Sequence, residues 1–139
     1  MQKSYLANEP ILVKFSMKDY KIEDYGFLGA NNNAAMLNVY HAGTLILQIQ
    51  TDADTTCIDG KCLSSANFMK DFICEKLPND SLLYIFNAKP IPSLKQMPNG
   101  FGFTQRYDEC GFEYMVQDRG ITAKTSKFLL SLQGIHDAD

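Results

Sequence analysis

The chain has 139 residues, a charged fraction of 21% and a formal net charge of −3 at pH 7. This length is enough for one domain with its own core, and the lack of a basic cluster argues against nucleic acid as a partner. No apolar run is long enough to cross a bilayer as a helix. We therefore predict a single domain over residues 1–139, with a loose N-terminal segment at 1–10 and a C-terminal tail at 134–139.

The first half of the chain is predicted to form strands. Between residues 11 and 17 every second residue is large and apolar, which is typical of a strand with one buried face. Residues 44–50 show the clearest alternation. We therefore expect Leu45, Leu47 and Ile49 to share one face of the sheet.

A loop is predicted near the end of the second strand. Leu28 lies between Phe27 and Gly29, and three asparagines, residues that favour turns, follow closely. A large aliphatic side chain at a loop tip gains nothing from water. We therefore predict that Leu28 projects and contacts a membrane or the apolar groove of a partner. The alternative is a core position at the end of a strand.

Four cysteines form an even set, which in an exported protein indicates two disulfides. Cys57 and Cys62 flank the hairpin signal Asp-Gly at 59–60 symmetrically, so they are predicted to be bonded across the turn. Cys74 and Cys110 then pair by elimination. Free thiols and metal ligation are the alternatives. The only two histidines are far apart in sequence, and we expect no metal site.

The middle of the chain carries the only long helical pattern. Apolar residues recur at helical spacing from Phe68 to Leu77, and Pro78 is expected to end this helix. A second, shorter helix is predicted over residues 82–86. Both predicted helices are amphipathic, with one face suited to packing on a sheet.

Short strands separated by tight turns resume after the helices. One of them has Phe112, Tyr114 and Val116 on a single face. A meandering antiparallel sheet of such strands twists and curls. The predicted fold class is therefore α+β: a curved antiparallel sheet, an unclosed half-barrel, covered by two amphipathic helices.

No set of residues predicts catalysis. A Ser/His/Asp site requires a histidine held by an acid beside a nucleophile, whereas His41 lies in a turn and His136 in a polar tail. Asp52 and Asp54 are spaced like calcium ligands but lack the glycine and glutamate that complete such a loop. We predict that the protein is not an enzyme and needs no cofactor.

Apolar side chains are abundant on the predicted helices and on the strands that would face them. They predict a lined cavity for an acyl chain, because a curved sheet under a helical lid can enclose one; a plain packed core is the alternative. The predicted lining residues are Leu45, Leu47, Ile49, Phe68, Met69, Phe72, Leu82, Phe86, Phe112 and Tyr114.

The order of these features resembles the LolB and LolA lipoprotein carriers. The best local match is EKLPNDSLLYIFNAKP at 75–90, a helix end followed by Leu-Pro and a short aromatic helix. The aromatic strand within 102–120 and the Phe-Leu-Gly at 27–29 also resemble that family. The resemblance implies an unclosed barrel with a hydrophobic cavity for lipid chains, and a transfer role for Leu28. The tryptophans of the family are missing.

These observations predict a non-enzymatic envelope protein that binds lipid or lipoprotein acyl chains in an apolar cavity. Its partners would also include the inner leaflet of the outer membrane or envelope proteins. The alternative is a structural or assembly lipoprotein with a filled core and protein partners. We expect a periplasmic protein, tethered to the outer membrane through an N-terminal lipid, and we expect Met1 to replace an export signal or a lipidated cysteine.

Overall fold

In the computed structural model, which describes residues 9–134, one antiparallel sheet contains eleven strands. The strands before the helices are β1 (Pro10–Met17), β2 (Tyr20–Ala30), β3 (Ala34–His41), β4 (Thr44–Asp52), β5 (Thr55–Ile58) and β6 (Lys61–Ser64). The strands after them are β7 (Gln96–Pro98), β8 (Phe103–Tyr107), β9 (Phe112–Gln117), β10 (Gly120–Thr125) and β11 (Phe128–Gly134). The central strands alternate buried and exposed side chains, as a sheet with one covered face requires.

The first strand joins the two halves of the sheet. The strand order is β6-β5-β4-β3-β2-β1-β11-β10-β9-β8-β7, so β1 pairs with both β2 and β11. Strands β6 and β7 are consequently the two edges. The chain that connects them, residues 65–95, must therefore pass from one edge of the sheet to the other, and we call it the cover segment.

The cover segment contains much less helix than its sequence pattern predicts. Helix α1 (Ser65–Phe68) begins at Ser64, whose hydroxyl accepts a hydrogen bond from the Asn67 amide, and it continues as a π-helical turn over Met69–Ile73. Helix α2 (Ser81–Phe86) has six residues. The predicted fold class, a half-barrel covered by two amphipathic helices, is therefore wrong: the molecule is one large antiparallel sheet with a single nine-residue helical segment and a short second helix.

The first helix stops early for a tertiary reason. Cys74 is extended, with φ −163° and ψ 116°, and its sulfur is bonded to Cys110 in the turn between β8 and β9. Leu77 is buried although it lies outside the helix. Burial of apolar side chains and the covalent bond thus determine the backbone here, and Pro78 is not the residue that ends the helix.

The cover segment packs on one face of the sheet, where the buried side chains form a single cluster. Gln105 on β8 anchors its last part: this fully buried side chain accepts a bond from the Ile91 amide and donates to the Ile91 and Leu94 carbonyls. The Tyr114 hydroxyl donates to the Lys89 carbonyl at 2.9 Å. Buried polar groups that are satisfied in this way fix the position of the segment.

The strand registers place the turns at two opposite ends of the sheet. One end carries the turns at 18–19, 42–43, 59–60, 108–111 and 126–127. The other end carries the turns at 31–33, 53–54, 99–102 and 118–119. Each end of the sheet leaves an opening beside the cover segment, and the two openings differ in chemistry.

The predicted terminal segments fall mostly outside the described residues. Of the predicted loose segment at 1–10, only Glu9 and Pro10 are described, and Pro10 begins β1. Of the predicted tail at 134–139, only Gly134 is described, and it is the last residue of β11.

Candidate functional site: an apolar groove at one end of the sheet

Most of the predicted lining residues lie in the packed core. Eight of the ten are buried in the single core cluster: Leu47, Ile49, Phe68, Met69, Leu82, Phe86, Phe112 and Tyr114. Phe72 is partly buried and packs against that cluster. Phe68 and Phe72 alone among the ten border the groove described below.

The prediction for Leu45 is wrong. Its side chain is 46% exposed and lies on the outer face of the sheet, not under the cover segment. The pairing of β3 with β4 shifts register between Val39 and Tyr40, which places Leu45 opposite Tyr40 while Leu47 stays opposite Val39. A β-bulge of this kind breaks the two-residue alternation, so the pattern that grouped Leu45 with Leu47 assigned it to the wrong face.

The prediction for Leu28 as an exposed loop residue is also wrong. Strand β2 continues to Ala30, and Leu28 is only 2% exposed, facing the core. The turn comes later, where the Asn31 side-chain oxygen accepts hydrogen bonds from the amides of Asn33 and Ala34. The core position is therefore the correct interpretation, and Leu28 has no route to a membrane.

Both predicted disulfides are confirmed. Cys57 and Cys62 are direct cross-strand partners in the β5–β6 hairpin, with Cα atoms 4.0 Å apart. Cys74 and Cys110 are bonded with Cα atoms 5.8 Å apart. Within residues 9–134 there is no group of three or more His, Cys, Asp or Glu side chains arranged to hold a metal ion.

An apolar groove opens between the end of the cover helix and two hairpin turns. We call it the lid groove; its volume is about 300 Å³. The lining residues are Met17, Lys18, Asp19, Tyr20, Ile58, Lys61, Cys62, Leu63, Phe68 and Phe72. It lies at the end of the sheet that carries the turns at 18–19 and 59–60.

Local contacts hold the two hairpins of the groove together. The Tyr20 hydroxyl donates to Asp59 at 3.3 Å, and the other oxygen of Asp59 accepts from the Gln48 amide at 2.8 Å. On the opposite wall the rings of Phe68 and Phe72 lie 5.2 Å apart. The groove is therefore lined by packed aromatic and aliphatic side chains and is not a gap between mobile loops.

Charges lie at the rim of the lid groove. Lys18 and Lys61 are exposed cations among its lining residues, and the Lys18 ammonium is 5.8 Å from the centre of the Phe72 ring. Asp19 is the one acid in the lining set. Burial, and secondarily the negative charge of Asp59, raises the pKa of Tyr20 above its ordinary value.

The two histidines lie far from each other in the chain. The side chain of His41 is exposed, and its Nδ1 lies 2.7 Å from a carboxylate oxygen of Asp24. The Tyr25 amide, and then the His41 ring, hold the pKa of Asp24 below its ordinary value by hydrogen bonding. Within residues 9–134 no hydrogen bond links His41 to a hydroxyl or thiol nucleophile. His136 lies outside the described residues.

A second opening lies at the opposite end of the sheet, and the sequence interpretation missed it. Two adjoining pockets of about 230 Å³ and about 520 Å³ share Asn87 and Lys89 in their walls. We call them together the polar cleft. The exposed Phe101, set between two glycines, was the available sequence signal, because an aromatic residue in a glycine turn has little chance to be buried.

Comparisons with protein-family models and with curated proteins gave no match at a significant level. None of the helices in the part of the chain that the structure describes is long and apolar enough to cross a membrane.

Proposed function

We propose that this protein is a non-enzymatic binding domain of the bacterial envelope that holds an acyl chain of a lipid or lipoprotein in the lid groove. The observation that carries the proposal is the groove itself: the buried side chains of Met17, Ile58 and Phe68 form its base, and the exposed Leu63 and the partly buried Phe72 border its opening. Concave apolar sites with a few polar groups at the rim are the usual form of small-molecule sites.

The dimensions of the groove suit one chain and not a bulky ligand. A volume of about 300 Å³ is at the lower limit for ligand sites. Each methylene that moves from water into such a groove contributes about 0.8 kcal/mol. Affinity should therefore rise steadily with chain length and level off once the groove is full.

The rim favours a zwitterionic head group. Lys18 and Lys61 stand beside the apolar wall, and two acids lie close to them: Asp19 in the lining and Asp59, which accepts a hydrogen bond from Tyr20. A lysine head can stay in water while its stem covers apolar surface, so both cations can contact a carboxylate or phosphate at the mouth without being buried.

The disulfides support an oxidising location. Both bonded pairs lie near the groove end, and disulfides of this kind persist in the periplasm or outside the cell. We therefore keep the periplasm as the proposed compartment, with tethering to the outer membrane as a further element of the proposal.

Native mass spectrometry of gently purified protein, followed by displacement of a fluorescent fatty acid, tests the proposal. Leu63 is a groove residue and 37% exposed, so Leu63→Glu should leave the fold intact and weaken chain binding about tenfold or more. Leu45→Glu, at a comparably exposed position on the outer face, is the matched control and should bind normally. Equal affinity of the two variants for the fatty acid would contradict the proposal.

A second candidate function, docking of an envelope protein, is favoured by the outer face of the sheet. Cross-strand pairing lines up Leu12, Tyr25, Tyr40 and Leu45 across β1 to β4. The Phe27 ring lies 6.4 Å from that of Tyr40 and is 50% exposed. Contiguous exposed apolar side chains, aromatic ones above all, are typical of interaction surfaces.

A photo-crosslinking amino acid separates this candidate from the first. Placed at Phe27, it should give a discrete adduct in intact cells. Placed at Lys124, on the same face in the other half of the sheet, it should give none. Adducts of equal yield at both positions would argue against a specific docking surface.

A further inference from the structure

We propose that the polar cleft, at the end of the sheet opposite the lid groove, is a binding site for a neutral oligosaccharide. The cleft is independent of the proposed lipid function, because none of its lining residues is shared with the lid groove. Its walls are Asn32, Asp80, Leu83, Tyr84, Asn87, Ala88, Lys89, Phe101, Gly102, Phe103, Val116, Gln117, Asp118 and Arg119.

Asn87 is the fixed centre of the cleft. It is only 9% exposed, and its amide nitrogen donates to the carbonyls of Asn31, at 2.9 Å, and Leu83, at 3.0 Å. These two bonds use both donors and lock the plane of the amide. The side-chain oxygen accepts no hydrogen bond within residues 9–134, so it remains available at the wall shared by the two pockets.

Further hydrogen-bonding capacity surrounds Asn87. The Lys89 ammonium donates to Asn32 at 2.6 Å and has two other hydrogens. The Asp80 carboxylate and the Tyr84 hydroxyl have no side-chain partner in the part of the chain that the structure describes, although both line the cleft. Donors and acceptors are thus interleaved, which matches the hydroxyl groups of a sugar, since each hydroxyl both donates and accepts.

Phe101 supplies an aromatic platform beside these groups. It is 83% exposed, the largest exposure among the large hydrophobic side chains of residues 9–134. Exposure of an apolar ring to water is unfavourable, so covering the ring with a ligand would be favourable. The flat apolar face of a sugar ring can cover such a ring while its hydroxyls reach polar neighbours.

The turn that presents Phe101 is rigid. Asn99 accepts a bond from the Gly102 amide and donates to the Thr104 hydroxyl and the Val116 carbonyl. A Cβ at Gly102 would collide with the Val116 carbonyl oxygen, and Gly100 has φ +101°. The backbone therefore demands glycine on both sides and holds the Phe101 ring outward at a fixed place on the rim.

The balance of charge decides between a neutral and an anionic ligand. Lys89 and Arg119 are the cations of the cleft, and Asp80 and Asp118 are its acids. The Arg119 guanidinium is moreover paired with Glu9 at 2.9 Å. No excess positive charge is left to bind a phosphate or a carboxylate, whereas neutral hydroxyls can be bound by both signs of charge.

Isothermal titration of the full chain with a panel of soluble oligosaccharides tests the inference. The panel holds gluco-, cello-, chito- and mannooligosaccharides of increasing length, with inorganic phosphate and citrate as anion probes. At least one oligosaccharide should bind with a dissociation constant below about 10 mM, and Phe101→Ala should weaken it about tenfold. Phe27→Ala, which removes an exposed ring outside the cleft, is the control and should bind normally.

Tyr84→Phe is a second test, because it removes only one hydroxyl from the cleft wall and should also lower the affinity for the oligosaccharide. The inference is overturned if no oligosaccharide binds, if phosphate or citrate binds in place of the sugars, or if Phe101→Ala and Tyr84→Phe bind like the parent. Fatty-acid binding should be the same in Phe101→Ala and the parent, so failure here is distinguishable from failure of the lid-groove proposal.

Discussion

The two ends of the sheet are stabilised by different chemistry. Near the lid groove the chain is tied by the Cys57–Cys62 and Cys74–Cys110 bonds, and the exposed surface is aromatic and aliphatic. At the polar cleft the turns are held by asparagine side chains, chiefly Asn31, Asn87 and Asn99.

This difference follows from what each end exposes. An apolar groove offers the backbone few polar partners, so a covalent bond is an efficient way to fix the hairpin and the end of the helix. Asparagine turns fix the backbone with the same kind of group that binds a polar ligand. One sheet can therefore present two openings of opposite character when each end is stabilised separately.

The largest expected effect comes from the core beneath both ends. Phe86 is fully buried, so Phe86→Ala should lower the free energy of unfolding by about 3–5 kcal/mol. Phe72 is only partly buried at the groove, and Phe72→Ala should cost about 1 kcal/mol. Urea denaturation measures both. Equal losses would mean that Phe72 belongs to the core and not to the groove wall.

The two disulfides should differ in their contribution. They are separated by 36 residues for Cys74–Cys110 and by 5 for Cys57–Cys62. In the chain-entropy model, removing the first by a double Cys→Ala change should cost about 4 kcal/mol, and removing the second about 2 kcal/mol.

Amide hydrogen exchange shows which backbone amides lose protection when each disulfide is removed. The variant without Cys57–Cys62 should exchange faster around the turn at 59–60, and the variant without Cys74–Cys110 should exchange faster around the turn at 108–111. In both variants the turn at 99–102 should stay as protected as in the parent. If protection falls equally at both ends, the ends are one cooperative unit and the comparison fails.

An effect similar to that of the Cys57–Cys62 bond is expected at the cleft end. Asn99→Ala removes three side-chain hydrogen bonds and should cost about 1–3 kcal/mol, because the buried partners lose bonds that water does not replace in full. Asn33→Ala is the control: its side chain is exposed, and the change should stay within about 0.5 kcal/mol. Thermal unfolding of the two variants checks this, and a neutral Asn99→Ala would show that the turn is not held by that side chain.

Several elements could be predicted because their signals are local. The Asp-Gly turn brings Cys57 opposite Cys62 within six residues, and the alternation from Ile11 to Met17 gives the buried face of β1. Pairing of Cys74 with Cys110 followed by elimination, once Cys57 had been paired with Cys62 in an even set of four cysteines. The inward face of Phe112, Tyr114 and Val116 also followed from alternation.

Other features required the assembled sheet. The bulge opposite Val39 and Tyr40 turned Leu45 outward, and the continued pairing of β2 with β3 drew Leu28 inward. The first helix ended at Ile73 because Cys74 is bonded across the molecule. None of these constraints lies within the few residues over which a periodic pattern is read.

The sequence by itself determined the position of most strands, the Asp-Gly hairpin turn and the cysteine pairs, since each depends on side-chain alternation, turn chemistry or elimination over a small set. Only the tertiary structure decided that β1 joins the two halves of one sheet, that the cover segment crosses from edge to edge, and which side chains stay exposed at the two ends. The physical reason is that exposure is a property of the whole packed chain: Phe101 and Phe86 have the same side chain, and only the neighbours that folding brings to each make one a rim residue and the other part of the core.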